Sequence, residues 1–154
     1  MILLRFLKRR IYFLVFPYIV KQFTIFHSQF NKRGFTMPQA KIYYNPKCSK
    51  SRATLQLLQE QGIETQTINY LETPPSVEAL GEICQKLGIQ PLGLIRTTEA
   101  RFSELGLSTS DQLPTEKWFE IMIENPILIE RPIVVYQDKV ALGRPPENVL
   151  PILK

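Results

Sequence analysis

Cys48 lies in the stretch "YYNPKCSKSR", residues 43–52, with Lys47 before it and Lys50 and Arg52 close behind. A thiol gains little packing in such polar, basic company, but a thiolate is stabilised by it. Cationic neighbours and the free N–H groups of a helix start both lower a cysteine pKa below its free value of about 8.5. Attack by sulfur is therefore the chemistry to expect at Cys48, with Asn45, Lys47, Lys50, Ser51 and Arg52 as its supporting surroundings. The second cysteine, Cys84, shares an apolar stripe with Leu80, Ile83 and Leu87 and reads as a small hydrophobe. "CSKS" also lacks the second cysteine of a CxxC motif. Redox turnover at Cys48 would thus draw on an outside thiol, either glutathione or a protein thiol.

Three arginines could face such a nucleophile. Arg96 follows the apolar "LGLI", Arg131 stands between Glu130 and Pro132, and Arg144 follows Gly143. A guanidinium fork matches the oxygens of a tetrahedral anion. Each of the three reads equally as a surface or ion-paired arginine, and spacing alone does not bring them together. The single histidine, His27, lies outside this region. Cys–His nucleophile pairs and Cys/His zinc sites are thereby excluded from the body of the chain, and no metal is expected.

The elements that must position these residues follow from periodicity. Ala40 to Tyr44 reads as a strand ended by Asn45-Pro46. A helix follows Cys48, with Leu55, Leu57 and Leu58 as its apolar face and Gly62 as its stop. Glu64 to Tyr70 alternates like a strand, "ETPPS" turns the chain, and Ser76 caps a helix that ends at Gly88. Residues 89–114 read as short helical turns joined by loops. Thr115 is placed to cap a helix over 116–124, ended by Asn125-Pro126. Ile133–Tyr136 and Lys139–Leu142 form a hairpin across Gln137-Asp138, and residues 145–153 read as a closing helix. A β-α-β start, a helical middle and a terminal hairpin with a helix predict an α/β fold, a small mixed sheet flanked by helices.

Charge divides the chain in two. Residues 1–36 carry seven basic residues and no acid, whereas residues 37–154 carry 12 basic and 14 acidic residues, a net −2. The body therefore offers no compositional case for nucleic acid. The leader is apolar, aromatic and basic, and its longest uncharged apolar run, residues 11–20, is shorter than the roughly 20 residues a membrane span needs. It is expected to be sequence upstream of a natural start at Met37. An interfacial membrane helix and a signal peptide are the alternatives, and membrane contact is expected only if the leader is part of the protein.

"IYYNPKCSKSR", "NYLETPPS", "LIR", "ENPILIERPIVV" and "LGRPPE" occur in this order from residue 40 onward. Together they resemble the glutaredoxin-coupled arsenate reductases, the ArsC family. The resemblance implies a thioredoxin-like, glutaredoxin-type fold with a helical region added before the final hairpin. It implies Cys48 as nucleophile, Arg96, Arg131 and Arg144 as oxyanion-binding arginines, and Pro132 as the family's usually cis proline. It further implies arsenate as substrate, glutathione as co-substrate with no bound cofactor, glutaredoxin as partner, a cytoplasmic location and a monomer. Many members have histidine where this chain has Tyr44. Two rivals share the scaffold: an Spx-like regulator that binds RNA polymerase, whose usual CxxC switch is missing here, and a thiol oxidoreductase acting on another substrate. The phosphatase-like arsenate reductases need arginine six positions after the cysteine, and Arg52 is four positions on.

Overall fold

A computed structural model describes residues 38–154, so the expectations for the leader, residues 1–36, lie outside the described residues. Strand β1 (Ala40–Tyr44) leads through the Cys48 loop into helix α1 (Ser49–Glu60), and β2 (Thr65–Asn69) returns parallel to β1. Helix α2 (Val77–Leu87), α3 (Ala100–Glu104) and α4 (Thr115–Glu124), with short 3-10 turns at Pro91–Leu94 and Pro126–Leu128, separate this unit from the hairpin. The hairpin is β3 (Ile133–Tyr136) and β4 (Lys139–Leu142), and a 3-10 segment, Pro146–Leu153, closes the chain. The sheet order is β2-β1-β3-β4, with β3 antiparallel to both β1 and β4. This is the expected thioredoxin-like arrangement, a mixed sheet between helices with its additional helices placed before the hairpin.

Alternation along the strands supplies two cores. Ile42, Val134, Tyr136 and Ala141 point to the side covered by α1 and the closing segment, against Leu58 and Val149. Tyr43, Ile133 and Val140 point to the side covered by α2 and α4, against Leu80, Ile83, Trp118 and Met122. Leu58 and Leu80 are both fully buried, each contributing about 1.5–3 kcal/mol by leaving water. The turn glycines behave as expected of helix stops: Gly62 and Gly88 adopt φ of 70° and 66°. The Ser76 hydroxyl caps α2 by accepting from the Ala79 N–H at 3.2 Å.

Three local expectations need correction. The buried face of α1 is Ser51, Thr54 and Leu58, while Leu55 and Leu57 are only half-buried. Thr54 is tolerated inside because its hydroxyl donates to the Gly143 carbonyl at 3.3 Å. Thr115 lies within α4 and does not cap it; Pro114 holds the N-cap position and has no side-chain donor or acceptor. The closing segment winds as 3-10 helix and not as α-helix, with Pro151 inside it, where a missing N–H breaks the α-helical ladder.

The topology gathers one edge of the sheet. β1 and β2 both finish there, at Tyr44 opposite Asn69. β3 begins there, with Ile133 opposite Tyr43, and β4 finishes there, with Leu142 opposite Ile133. The residues flanking these ends are Asn45 to Cys48, Tyr70, Arg131-Pro132 and Gly143-Arg144. The fold thus converts four distant stretches of sequence into neighbours.

Candidate active site

Cys48 is the N-cap residue of α1, extended at φ −91° and ψ 122°. Its loop is fixed from within. The Asn45 carbonyl accepts from the Cys48 N–H at 2.9 Å, and Asn45 Oδ1 accepts from the Lys47 N–H at 2.8 Å. The Asn45 N–H donates to Ser51 Oγ at 3.3 Å. Arg52 turns back and donates from Nη1 to the Pro46 carbonyl at 2.9 Å. The side chain of Asn45 therefore shapes the turn, and that of Arg52 pins it.

The sulfur is half-buried at the positive end of α1. Burial alone would raise its pKa. The N–H and hydroxyl of Ser51, the N–H of Lys50 and the guanidinium of Arg131 outweigh that, and bring the thiol from 9.0 down to about 7. The Cys48 side chain makes no capping hydrogen bond to the helix, as befits a thiol, which accepts weakly; the anion is what these donors favour. Lys47, Lys50 and Arg52 present exposed side chains. The helix-start amides act on the sulfur as the sequence suggested, but the cation beside them is Arg131 and the hydroxyl is that of Ser51, in place of the side chains of Lys47, Lys50 and Arg52.

Arg96 and Arg131 are brought together by a short antiparallel contact between two loops. Ile95 pairs with Ile129, the Arg96 N–H donates to the Leu128 carbonyl at 2.7 Å, and the Glu130 N–H donates to the Leu94 carbonyl at 2.9 Å. Both side chains are largely buried, at 15% and 11% exposure, so both need partners. Arg131 donates from Nη1 to the Ile127 carbonyl at 3.0 Å and from Nη2 to Glu99 Oε1 at 3.1 Å. Arg96 Nη1 donates to that same Glu99 oxygen, and Arg96 Nε stands 3.8 Å from Glu130 Oε2. Arg131 Nε is buried and has no hydrogen-bond partner among the described residues.

Pro132 follows through a cis peptide bond and is buried against Gly143, whose N–H donates to the Pro132 carbonyl at 2.9 Å. Arg144, the next residue, is exposed, and among the described residues its guanidinium has no ion-pair or hydrogen-bond partner. Cys48, Ser51, Arg131 and Arg96 therefore form one connected group, and Arg144 follows β4 at the same end of the sheet. Tyr44, half-buried, packs toward the core on the α1 side of the sheet. Cys84 is buried in α2, and burial pushes its thiol up.

Sequence reasoning passed over two residues of this group. Glu99 stands three positions after Arg96, a spacing that on a helical turn faces the two side chains. Tyr70 follows the carboxyl end of a parallel strand, the usual location of ligand sites in open α/β sheets. The arrangement offers an anionic sulfur beside two oriented guanidinium groups, which suits attack on a bound oxyanion. Among the described residues there is no cluster of three or more His, Cys, Asp or Glu able to hold a metal, and no helix long and apolar enough to cross a membrane.

Comparison with known proteins identifies the family of this chain. The family described as "ArsC family" matches residues 43–152. An arsenate reductase of Neisseria meningitidis is 42% identical over 118 residues, covering 76% of this chain and 100% of that protein. An uncharacterised protein of Escherichia coli is 47% identical over 116 residues, covering 75% of this chain and 97% of its own. Among solved structures, an arsenate reductase from Vibrio cholerae superposes with a TM-score of 0.71 at 50% identity, covering 76% of this chain and 99% of that one.

Proposed function

The chain belongs to the ArsC family, and from that membership we propose that it reduces arsenate to arsenite, with Cys48 as nucleophile and glutathione and glutaredoxin as reductants. The observation that carries this reading is the Cys48 thiol, held at about 7 beside the Arg131 guanidinium. At neutral pH such a sulfur is substantially thiolate, and a cation stands where an oxyanion must dock. The arsenate reductases among its relatives supply the substrate.

In this mechanism arsenate docks against Arg131 and Arg96, and Arg144 closes on it from the end of β4. The Cys48 thiolate attacks arsenic; an S–As bond forms, one As–O bond breaks, and the oxygen leaves as water after taking up protons. Arsenic is still pentavalent in this adduct. A glutathione thiolate then attacks the Cys48 sulfur. The S–As electron pair stays on arsenic, which becomes trivalent and departs as arsenite, leaving Cys48 in a mixed disulfide with glutathione. A glutaredoxin thiolate takes over the glutathione and frees Cys48. The two electrons come from two thiols, one of glutathione and one of glutaredoxin.

Tyr44 cannot provide the cation that histidine provides in many members, and Arg131 takes that place beside the sulfur in this scheme. The reading also carries a reducing compartment, the cytoplasm, and a monomeric enzyme. Its test is a coupled assay on the full chain with arsenate, glutathione and glutaredoxin. Turnover should require both thiol components and vanish in Cys48→Ser. No arsenite above the uncatalysed level, or full turnover in Cys48→Ser, would overturn it.

A further inference from the structure

Tyr70 immediately follows β2, one residue beyond the Tyr44–Asn69 pair that marks the end of the parallel strands. It is 0% exposed, and its hydroxyl is buried with no hydrogen-bond partner among the described residues. Buried hydroxyls are nearly always paired, and phenylalanine would fill the same space without the loss. Arg131 acts on this phenol by its charge and from hydrogen-bonding range, and Arg96 and Cys48 act on it by charge. Arg131 Nε is likewise buried and unpartnered. The phenol oxygen can accept from the Arg131 guanidinium, but its own O–H has no acceptor among the described residues, and it stands beside two guanidinium groups and a nucleophile. The complement of this setting is a group rich in acceptor oxygens.

We propose that Tyr70 is a further oxyanion-contacting residue of this site, its phenol O–H donating to the tetrahedral anion that Arg131 and Arg96 attract. Burial holds the phenol pKa up, so the group stays protonated and remains a donor at neutral pH. The hydroxyl that is unsatisfied in the unliganded protein is satisfied when the anion arrives, which places the gain on binding and not on folding. The proposal rests on the oxyanion reading of the Cys48 site. It does not depend on whether the bound anion is reduced.

The test uses the full chain, inorganic phosphate as the probe, and alkylation of Cys48 by iodoacetamide. The pH dependence of alkylation reports the thiol pKa, and its slowing by phosphate reports oxyanion affinity. Cys84, buried and with its thiol pushed up, reacts slowly. Tyr70→Phe should weaken phosphate protection about tenfold or more, the worth of a hydrogen bond to a charged group. The alkylation midpoint should stay where the parent's is, and Tm should equal or exceed the parent's. Unchanged phosphate protection in Tyr70→Phe overturns the proposal. So does a lowered Tm or a shifted alkylation midpoint, which would make the hydroxyl a strut of the fold or a partner of the sulfur. A parent that phosphate does not protect overturns it as well. Arsenate turnover is read separately: if the parent is protected by phosphate yet never reduces arsenate, the proposed reaction fails while the Tyr70 result stands.

Discussion

Arg96 and Arg131 meet at a single atom, Glu99 Oε1, which accepts from Arg96 Nη1 and from Arg131 Nη2. With Glu130 Oε2 near Arg96 Nε, two guanidinium groups are balanced by two carboxylates. The carboxylates orient the arginines and at the same time reduce the positive field that an incoming anion meets.

Glu99→Gln keeps the shape and removes one negative charge. The alkylation midpoint of Cys48 should fall below that of the parent, and phosphate should protect the sulfur a few-fold better. Denaturant unfolding should show a loss of about 1–3 kcal/mol, because two largely buried cations lose a charged partner. Weaker or unchanged phosphate protection would mean that Glu99 does not temper the site.

The depressed Cys48 thiol makes stability depend on pH. From about 7 to 9.0 the folded chain binds fewer protons at this sulfur than the unfolded chain, so its contribution grows with pH across that window and is lost as pH falls through about 7. The stability difference between parent and Cys48→Ser should therefore be larger at about pH 9 than at about pH 6. Chemical denaturation at the two values measures it, and a difference that ignores pH contradicts the assigned thiolate.

Ser51 is fully buried and serves both the turn and the sulfur. Ser51→Ala removes the hydroxyl and keeps the N–H. The Cys48 alkylation midpoint should rise by about half to one unit, and unfolding should cost about 1 kcal/mol less. A midpoint that does not move would assign the whole effect to the backbone and Arg131.

Arg144, exposed and without an ion-pair partner among the described residues, separates binding from architecture. Arg144→Lys should change stability by no more than about 0.5 kcal/mol and leave the alkylation midpoint in place, yet weaken phosphate protection several-fold. Arg131→Lys should disturb all three. If phosphate binds Arg144→Lys as tightly as the parent, that arginine takes no part in docking.

Gly143 has no room for a side chain. A Cβ there would lie 2.5 Å from Thr54 Oγ1 and 2.8 Å from Pro132 Cγ, so Gly143→Ala should destabilise the protein by about 1–3 kcal/mol. Equilibrium unfolding measures this, and parental stability would show that α1 can retreat from the hairpin.

What could be read from the chain alone was what depends on near neighbours. The strand and helix order followed from the turns that bound residues 40–44 and the hairpin, from alternation at residues 64–70 and from the stripe Leu80, Ile83 and Cys84, and the stops at Gly62 and Gly88 followed from backbone freedom. Cys48 stood out because its polar setting is local. The interior role of Thr54 did not, since its partner Gly143 is 89 residues away. Glu99 and Arg131, 32 residues apart, meet only because two loops pair at Ile95 and Ile129. The exposed lysines beside Cys48 looked like its cations. The helix-start amides were legible and act on the sulfur as read, but the cation that acts with them, Arg131, reaches Cys48 only through the fold.

Cys84 is sealed in the core of α2, so Cys48 has no partner sulfur within its own chain to fall back on. Any oxidised state of Cys48 then waits for a collision. Recovery is second-order, its rate scales with the concentration of free thiol around the protein, and a cell short of thiol would accumulate the idle form in proportion. The activity of such a protein reports the supply of reductant as directly as it reports the arrival of substrate.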